Sequence, residues 1–266
     1  MSSIHDHNRK AWDLRVKKKA RHTASVSSEA LKSPHSRVDP EGWMGGNLYQ
    51  KRVLCLAAGG GVQSALFAAA GATVTVVDIS SKMLDQDRRE ADRHGLQIKC
   101  VEASMDDLSP FADGVFELVA QPVSSCYVPD IIRVFREVAR VLVPDGLYVS
   151  QHKQPVNLQA KPHQSGRGYA VAEPYYRSGP LTPIASGFLH READTVEFLH
   201  RWEDLIGGMC RAGFVIEDLV EPRHGDATAR PGSFPHRSHF IPPYVRIKAR
   251  RQTPDRGEEK SNIWIS

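Results

Sequence analysis

A run of three glycines after an apolar stretch is the feature of this chain best suited to chemistry. The stretch begins at Val53 and leads into Gly59-Gly60-Gly61. A second apolar run, Thr73 to Val77, ends at Asp78. Glycines let a ligand approach the main chain, a following helix offers unpaired N–H groups, and the acid can accept both ribose hydroxyls. This order of residues predicts a binding site for a cofactor that contains adenosine.

The elements that would position these residues alternate between strands and helices. We predict strands at about 52–57, 73–78, 97–101, 115–120, 147–152, 214–220 and 243–249, and helices at about 4–22, 61–71, 81–94, 129–142 and 201–212. Such alternation indicates a parallel sheet with helices on both faces. No crossover helix separates the last two strands, so they should pair antiparallel at one end. The expected fold is therefore α/β, with a Rossmann-like, seven-stranded, mostly parallel sheet, an antiparallel last strand and an insertion after strand 5.

The composition is that of a soluble globular protein. The chain has 266 residues, of which 41% are hydrophobic and 25% are charged, which suits one open-sheet domain. The formal net charge of +4 arises largely from basic residues in the two tails. A basic tail is more often solvated than bound to nucleic acid, so we do not expect a nucleic-acid partner.

Cysteine and histidine spacing gives no sign of a metal site. The four cysteines are widely separated and form no Cys-x-x-Cys pair, which favours reduced thiols in the cytoplasm over disulfides or zinc ligands. His224, His236 and His239 match no zinc-binding spacing. No apolar run reaches the ~18–20 residues of a spanning helix, and the N-terminus lacks an apolar signal core. We therefore expect a cytoplasmic protein without a metal and without membrane contact.

Together these residues resemble the class I S-adenosylmethionine-dependent methyltransferases, in particular the small-molecule group called type 11. The resemblance covers roughly residues 50–150 and, more loosely, 200–248. Asn8-Arg9-Lys10-Ala11-Trp12-Asp13 is similar to the Asn-x-x-Trp-Asp start of many such enzymes, in which the first helix folds over the cofactor. Pro144-Asp145-Gly146 resembles the family's turn before strand 5.

The family's motif for the methionine part of the cofactor is hydrophobic-acid-x-Gly-x-Gly-x-Gly, and this chain departs from it twice. Matched residue by residue, the acid falls on Cys55, and the glycines fall on Ala57, Gly59 and Gly61. The missing acid removes a contact that often orients the cofactor ammonium. Alanine can replace the first glycine provided that its φ is negative.

The resemblance also implies roles for residues at the ends of strands 2, 3 and 4. Asp78 would bind the ribose hydroxyls, and Gln121 would line the methionine end of the site. The segment Ser104-Met105-Asp106 would read the adenine, with Met105 over the ring and Asp106 accepting from the exocyclic amine. The other cofactor-binding residues expected on this basis are Trp12, Ile79 and Met83.

The resemblance divides the chain into three parts. Residues 1–50 would be a helix and loop that cover the cofactor site, and residues 51–250 would be the methyltransferase domain. Within that domain, residues 153–196 hold prolines and glycines without a clear period, which is typical of a lid on the acceptor side. Residues 251–266 would be a polar tail.

Methyl transfer from a sulfonium requires orientation of the acceptor and exclusion of water more than it requires protein chemistry. A general base is needed only for a hydroxyl or a protonated amine, and histidine is the usual choice near neutral pH. His152 ends strand 5 beside the predicted cleft and is the candidate base, although a structural histidine fits equally well. Tyr127 is the second candidate, with packing under the following helix as its alternative.

The resulting hypothesis is a methyltransferase that uses S-adenosylmethionine and acts on a small molecule at nitrogen or oxygen, with homo-oligomerisation left open. One alternative is a nucleic-acid methyltransferase, which the basic ends favour. Another is a non-catalytic S-adenosylmethionine-binding protein, which Cys55 and Ala57 favour. Hydride transfer is disfavoured, because the Gly-x-Gly-x-x-Gly pattern fits only if Ser64 replaces the last glycine and no Tyr-x-x-x-Lys pair follows strand 5.

Overall fold

Seven strands form a single sheet in the computed structural model, which describes residues 3–18, 25–184 and 191–253. The strand order is β3-β2-β1-β4-β5-β7-β6. Parallel pairs join β3, β2, β1, β4 and β5, whereas β7 runs antiparallel between β5 and β6. The strands are β1 (Arg52–Leu56), β2 (Thr73–Asp78), β3 (Ile98–Glu102), β4 (Phe116–Gln121), β5 (Leu142–Lys153), β6 (Phe214–Val220) and β7 (Tyr244–Arg251). The predicted fold class is confirmed.

Within the described residues, three helices precede β1, and the other helices connect the strands. A π-helical turn, Glu203–Gly207, leads into α8, and a short 3₁₀ turn, Ser125–Tyr127, follows β4. The helices are α1 (Ser3–Lys17), α2 (Ser28–Lys32), α3 (Pro34–Val38), α4 (Val62–Ala69), α5 (Ser81–His94), α6 (Ile131–Val141), α7 (Pro155–Gln159), α8 (Gly208–Arg211) and α9 (Phe234–Phe240).

Apolar residues on both faces of the central strands form the core. Successive side chains of a strand point to opposite faces. In β1, Val53 and Cys55 belong to the cluster that includes residues of α4 and α5, whereas Leu54 and Leu56 belong to the cluster that includes residues of α6. A parallel strand covered on both faces must therefore be apolar throughout, which explains the unbroken run in β1.

The capping residues explain where α5 begins and ends. The hydroxyl of Ser80 accepts a hydrogen bond from the N–H of Met83 at 3.0 Å, which satisfies one of the free donors of the first turn. At the other end, Gly95 takes a left-handed conformation with a φ of 64°. The predicted bounds of this helix are confirmed because both signals are local in sequence.

Two predicted boundaries differ from the structure. The strand predicted from Leu147 begins at Leu142, because Leu142 pairs with Phe116 and the segment Pro144-Asp145-Gly146 forms a bulge inside β5 rather than a turn before it. The first helix, predicted to reach residue 22, is described as far as Lys17, and residues 19–24 lie outside the described residues.

Four short helices occur in described stretches that we predicted to be loops, namely α2, α3, α7 and α9. Both α7 and α9 have a proline in the first turn, at Pro155 and Pro235. Proline is compatible with this position, since its missing N–H would have no partner inside the helix anyway. Ser233 provides the cap of α9 by accepting from the N–H of His236. Of the predicted tail, Arg251 belongs to β7, and residues 254–266 lie outside the described residues.

The loop after β1, from Ala57 to Gly61, turns sharply before α4. Gly60 and Gly61 have φ values of 122° and 87°, which favour glycine. Ala57 also has a positive φ, of 49°, so the condition of a negative φ at this position is not met. At Gly59 a Cβ atom would lie 2.8 Å from Oδ2 of Asp78, so only glycine fits there.

Asp87 on α5 binds the main chain of this loop. The sequence analysis did not identify this residue. Its carboxylate is fully buried and accepts hydrogen bonds from the N–H groups of Gly60 (3.0 Å) and Gly61 (3.1 Å) and from the hydroxyl of Ser64. Burial raises the pKa of Asp87 to about 6, although these hydrogen bonds oppose the shift. The loop is therefore attached to the helix that follows β2.

Replacing Ala57 by glycine should stabilise the protein. A left-handed backbone destabilises the folded state of an L-residue by about 1–2 kcal/mol, and glycine removes this strain. Glycine also has more conformational freedom in the unfolded chain, which offsets about 0.4–1 kcal/mol of the gain. We expect Ala57→Gly to increase the free energy of unfolding by about 0.5–1 kcal/mol, measured as a higher urea midpoint at unchanged slope. Ala139→Gly, inside α6, is the control and should destabilise by about 1 kcal/mol. A lower midpoint for Ala57→Gly would contradict the strain at this residue.

Asp87 should make the stability depend on pH. Because its pKa is higher in the folded state than in the unfolded state, its ionisation weakens folding as the pH rises through about 6. The difference in free energy of unfolding between wild type and Asp87→Asn should therefore fall by about 1 kcal/mol from pH 5 to pH 7. Urea unfolding at both pH values measures it, with Asp92→Asn on the exposed side of the same helix as the control. A difference that stays constant would show that Asp87 ionises in its ordinary range.

Candidate functional site

A cavity of about 500 Å³ opens at the carboxyl ends of β1, β2, β3 and β4. This is the edge at which open α/β sheets bind ligands, and the volume suits a cofactor-sized molecule. The loop after β1 forms one part of the wall, and α1 contributes His5, Asn8 and Trp12 to another part. The segment after β4 and part of the insertion complete the wall.

Most of the residues predicted to bind a cofactor lie together in this wall. Gly61, Asp106 and Gln121 are the predicted residues that do not line the cavity. The predicted residues that do line it are Trp12, Ala57, Gly59, Asp78, Ile79, Met83, Ser104 and Met105. The ends of β1, β2 and β3 thus converge as the strand order predicts.

Asp78 is held rigidly at the end of β2. Its Oδ2 accepts a hydrogen bond from the N–H of Gly59 and its Oδ1 accepts one from the N–H of Ser80, both at 2.9 Å. Burial raises the pKa of Asp78 to about 6, opposed by these two hydrogen bonds. Each carboxylate oxygen can accept more than one hydrogen bond, so Asp78 keeps acceptor capacity toward the cavity.

The three predicted residues outside the wall each bind another part of the protein. Asp106 is buried, pairs with Nε2 of His5 at 3.1 Å and accepts from the hydroxyl of Ser104. Gln121 is held behind the wall: its amide donates to the hydroxyl of Ser124 at 2.9 Å, and its carbonyl accepts from Tyr148. Gly61 donates to Asp87. These residues position the wall rather than form it.

His152, the predicted base, lies beneath the cavity and does not line it. Its ring is fully buried, and its two nitrogens lie 2.8 Å from the hydroxyls of Ser125 and Ser150. Burial, with a further contribution from His200, lowers the pKa of His152 to about 3. Both ring nitrogens are thus engaged by the protein and the ring does not line the cavity, which favours a structural role for His152 over the predicted role as a base.

Tyr127, the other predicted catalytic residue, does line the cavity and leads to a buried ionic network. Its hydroxyl donates to Oε2 of Glu192 at 2.7 Å. Nζ of Lys153 donates to the same oxygen at 2.6 Å and to Oε1 of Glu197 at 2.5 Å. Sequence reasoning missed Lys153, Glu192 and Glu197, because a lysine that ends a strand and acids in an irregular stretch carry no recognisable pattern.

Helix α1 is attached over the cavity by several hydrogen bonds. The side chain of Asn8 donates to the carbonyls of Tyr127 and Val196, each at 3.0 Å, and accepts from the N–H of Val196 at 2.7 Å. Asp13 accepts from the hydroxyl of Ser80 at 2.6 Å. The ring of Trp12 packs edge-on against Tyr127, with centroids 5.5 Å apart. The helix therefore closes part of the cavity.

The wall fits a ligand that combines an adenosine with an amino-acid group. Gln63 lines the cavity beside the glycine loop, and its Oε1 is buried without a partner among the described residues, so a ligand N–H could satisfy it. Cys55, at the position of the family's acid, is fully buried behind the wall, and burial raises the pKa of its thiol. Cys55 therefore cannot replace the acid, whereas Gln63 offers an acceptor at the same end of the cavity.

Neither a candidate metal cluster nor a membrane-spanning helix occurs within the described residues. No group of three or more His, Cys, Asp or Glu side chains there could hold a metal ion. In the same ranges no helix combines the length and the apolar character needed to cross a membrane.

Comparisons with known proteins agree with this geometry. A family model described as a methyltransferase domain matches residues 54–150. The uncharacterised methyltransferase YbaJ of Bacillus subtilis (strain 168) is 34% identical over 238 residues, which cover 85% of this chain and 93% of that protein. A ubiquinone biosynthesis O-methyltransferase of Actinobacillus pleuropneumoniae is 30% identical over 104 residues, which cover 38% of this chain and 44% of that one.

Solved structures share the fold at low sequence identity. An S-adenosylmethionine-dependent methyltransferase from Mesorhizobium loti has a TM-score of 0.65 and 23% identity, and the match covers 83% of this chain and 100% of that one. Geranyl diphosphate C-methyltransferase from Streptomyces coelicolor A3(2) has a TM-score of 0.63 and 17% identity, with 94% and 98% covered. With the long match to YbaJ, the family is established: the chain belongs to the class I S-adenosylmethionine-dependent methyltransferases.

Proposed function

We propose that this methyltransferase transfers the methyl group of S-adenosylmethionine to a nitrogen or oxygen atom of a small molecule. The observation that carries the proposal is the cavity itself, in which the glycine loop, Asp78 and Met105 meet beneath α1. A cavity covered by a helix favours a small acceptor over a polymer, because a polymer would need an open groove.

The order of the strands suggests how the cofactor lies. Ser104 and Met105 follow β3, Asp78 ends β2, and the glycine loop follows β1. The strands β3, β2 and β1 are neighbours in the sheet in that order. Adenine, ribose and the amino-acid group occur in the same order along the cofactor. We therefore assign Met105 to a face of the adenine, Asp78 to the ribose hydroxyls, and the loop with Gln63 to the amino-acid group. Trp12, Ile79 and Met83 would enclose the ligand with apolar surface.

When bound, the cofactor supplies a methyl group that is already activated by its positive sulfur. The protein then has to hold the acceptor in line and keep water out. Trp12 and Tyr127 exclude water from the covered side of the cavity, since they pack against each other between α1 and the segment after β4. The acceptor would enter the part of the cavity next to Tyr127 and Glu192.

Binding of the cofactor product S-adenosylhomocysteine should depend on Asp78. Hydrogen bonds to a charged group contribute about 1.5–3 kcal/mol, so we expect Asp78→Asn to weaken the affinity about 10- to 100-fold in a calorimetric titration. Asp92→Asn, on the exposed side of α5, serves as the control and should bind like wild type. Unfolding temperatures must be recorded as well, because Asp78 also binds the glycine loop. A wild-type protein that releases no heat with this ligand would contradict the assignment of the cavity.

The size of the acceptor can be tested without knowing its identity. We expect S-adenosylmethionine labelled in its methyl group to transfer label, in the presence of the protein and a cell extract, into the small-molecule fraction. The extract would first be divided into small molecules, RNA and protein, and each fraction would be tested by itself. Transfer into the RNA fraction would favour a nucleic-acid methyltransferase instead. The Asp78→Asn variant at limiting cofactor provides the control for label that moves without catalysis.

A further inference from the structure

We propose that Glu192 is the acceptor-binding residue of the cavity and that it selects an amine as the methyl acceptor. This inference rests on the proposed function, because it assigns a substrate class to the same cavity. It is carried by four observations: the open oxygen of Glu192, the ionic network behind it, the charge of the cavity wall and the place of Glu192 in the fold.

Only one oxygen of Glu192 is used by the protein. Lys153 and Tyr127 both donate to Oε2, at 2.6 and 2.7 Å. Oε1 accepts no hydrogen bond from any residue in the described ranges, although the side chain is only 14% exposed and lines the cavity. A buried carboxylate normally satisfies both of its oxygens. The open oxygen is therefore available to a donor that enters the cavity.

The network behind Glu192 keeps it ionised. Burial by itself would raise the pKa of Glu192, but the charge of Lys153 outweighs burial and holds that pKa below its usual range. Burial also opposes the charge on Lys153, yet the acidic groups around it, including Glu192 and Glu197, hold its pKa above the usual range. Glu197 in turn accepts from Arg191. Glu192 is thus a fixed negative charge and a poor proton acceptor.

The described wall of the cavity carries acidic groups without a lysine or an arginine. Asp78 and Glu192 line it, and Lys153 lies behind Glu192 with 1% of its side chain exposed. An acceptor with a carboxylate or phosphate at this end would meet the charge of Glu192, because Lys153 is already bound to that carboxylate and Arg15, whose charge also acts on Glu192, does not line the described cavity. Such a contact is unfavourable in a water-poor cavity. A nitrogen that donates N–H to Oε1 would form a charge-assisted hydrogen bond.

Glu192 also lies at the correct end of the cavity. Tyr127, which binds it, belongs to the segment after β4, whereas Ser104 and Met105 follow β3 at the opposite side of the sheet order. With the adenine next to β3, the acceptor must enter from the β4 side. Glu192 is an ionised side chain that lines this side.

An amine also fits the chemistry of a site whose wall holds Glu192 but not His152. The lone pair of a neutral amine forms the bond to the methyl carbon, the carbon–sulfur bond breaks, and its electron pair remains on sulfur. The nitrogen becomes positively charged and afterwards loses a proton to water. An amine that arrives as an ammonium ion must first lose a proton to water, because a protonated nitrogen has no lone pair. The ionised Glu192 then stabilises the charge that develops on nitrogen during the transfer.

The test compares two ligands that differ at the transfer position. Sinefungin carries an amino group where S-adenosylmethionine carries its sulfonium methyl, whereas S-adenosylhomocysteine has no group there. In calorimetric titrations we expect wild type to bind sinefungin about tenfold more tightly than S-adenosylhomocysteine, because the amine meets Oε1 of Glu192. In Glu192→Gln this preference should fall to about twofold or less. Glu203→Gln, at an exposed glutamate, is the matched control and should keep the preference.

The outcomes separate this inference from the function on which it rests. No preference in wild type, or an equal preference in Glu192→Gln, would overturn the role of Glu192 while leaving cofactor binding intact. Failure of both ligands to bind wild type would instead overturn the proposed function. A second measurement needs no variant: after chromatographic removal of the labelled S-adenosylmethionine, which is itself a cation, the methyl-labelled product formed from the small-molecule extract should be retained by a cation exchanger at neutral pH. A labelled product that the cation exchanger does not retain would overturn the amine assignment.

Discussion

The hydrogen bonds that two buried carboxylates accept from the glycine loop are the interaction on which the rest of the site depends. Gly59 donates to Asp78, while Gly60 and Gly61 donate to Asp87, so three consecutive N–H groups are held by β2 and α5. Burial raises the pKa of each acid to about 6, which shows that their charged forms are less stable here than in water. In return the loop keeps one conformation, and the end of β1 stays open for a ligand.

A second buried network shapes the opposite end of the cavity. Lys153 ends β5 and binds Glu192, which lies in the insertion, and Glu197, which directly follows it; the two glutamates are 39 and 44 residues further along the chain. A charged lysine is stable in the interior only when carboxylates pair with it. The ionisation of Lys153 therefore depends on the insertion, and the insertion is held in place by Lys153. Asn8 binds Val196 in the same segment and thereby joins α1 to it. This end of the cavity is therefore built from parts of the chain that are distant in sequence.

The sequence analysis succeeded where a signal is local and repeated. Apolar runs located the strands, and the ends of β1, β2 and β3 located Gly59, Asp78 and Met105 in the wall of the cavity. It predicted less accurately how deeply each side chain is buried. Asp106 follows β3 and His152 lies near the end of β5, yet both are buried behind the wall, because a position along a strand does not determine how far a side chain lies from the surface.

The sequence by itself determined the fold class, the edge of the sheet at which the cavity opens, and the family, since these depend on hydrophobic period and on a few residues at strand ends. Tertiary structure alone decided which polar groups line the cavity. Asp87 became a support for the glycine loop because α5 packs beneath it, and Glu192 reached the cavity because Lys153 holds the insertion against the sheet. Such contacts join residues far apart in the chain, and no local pattern encodes them.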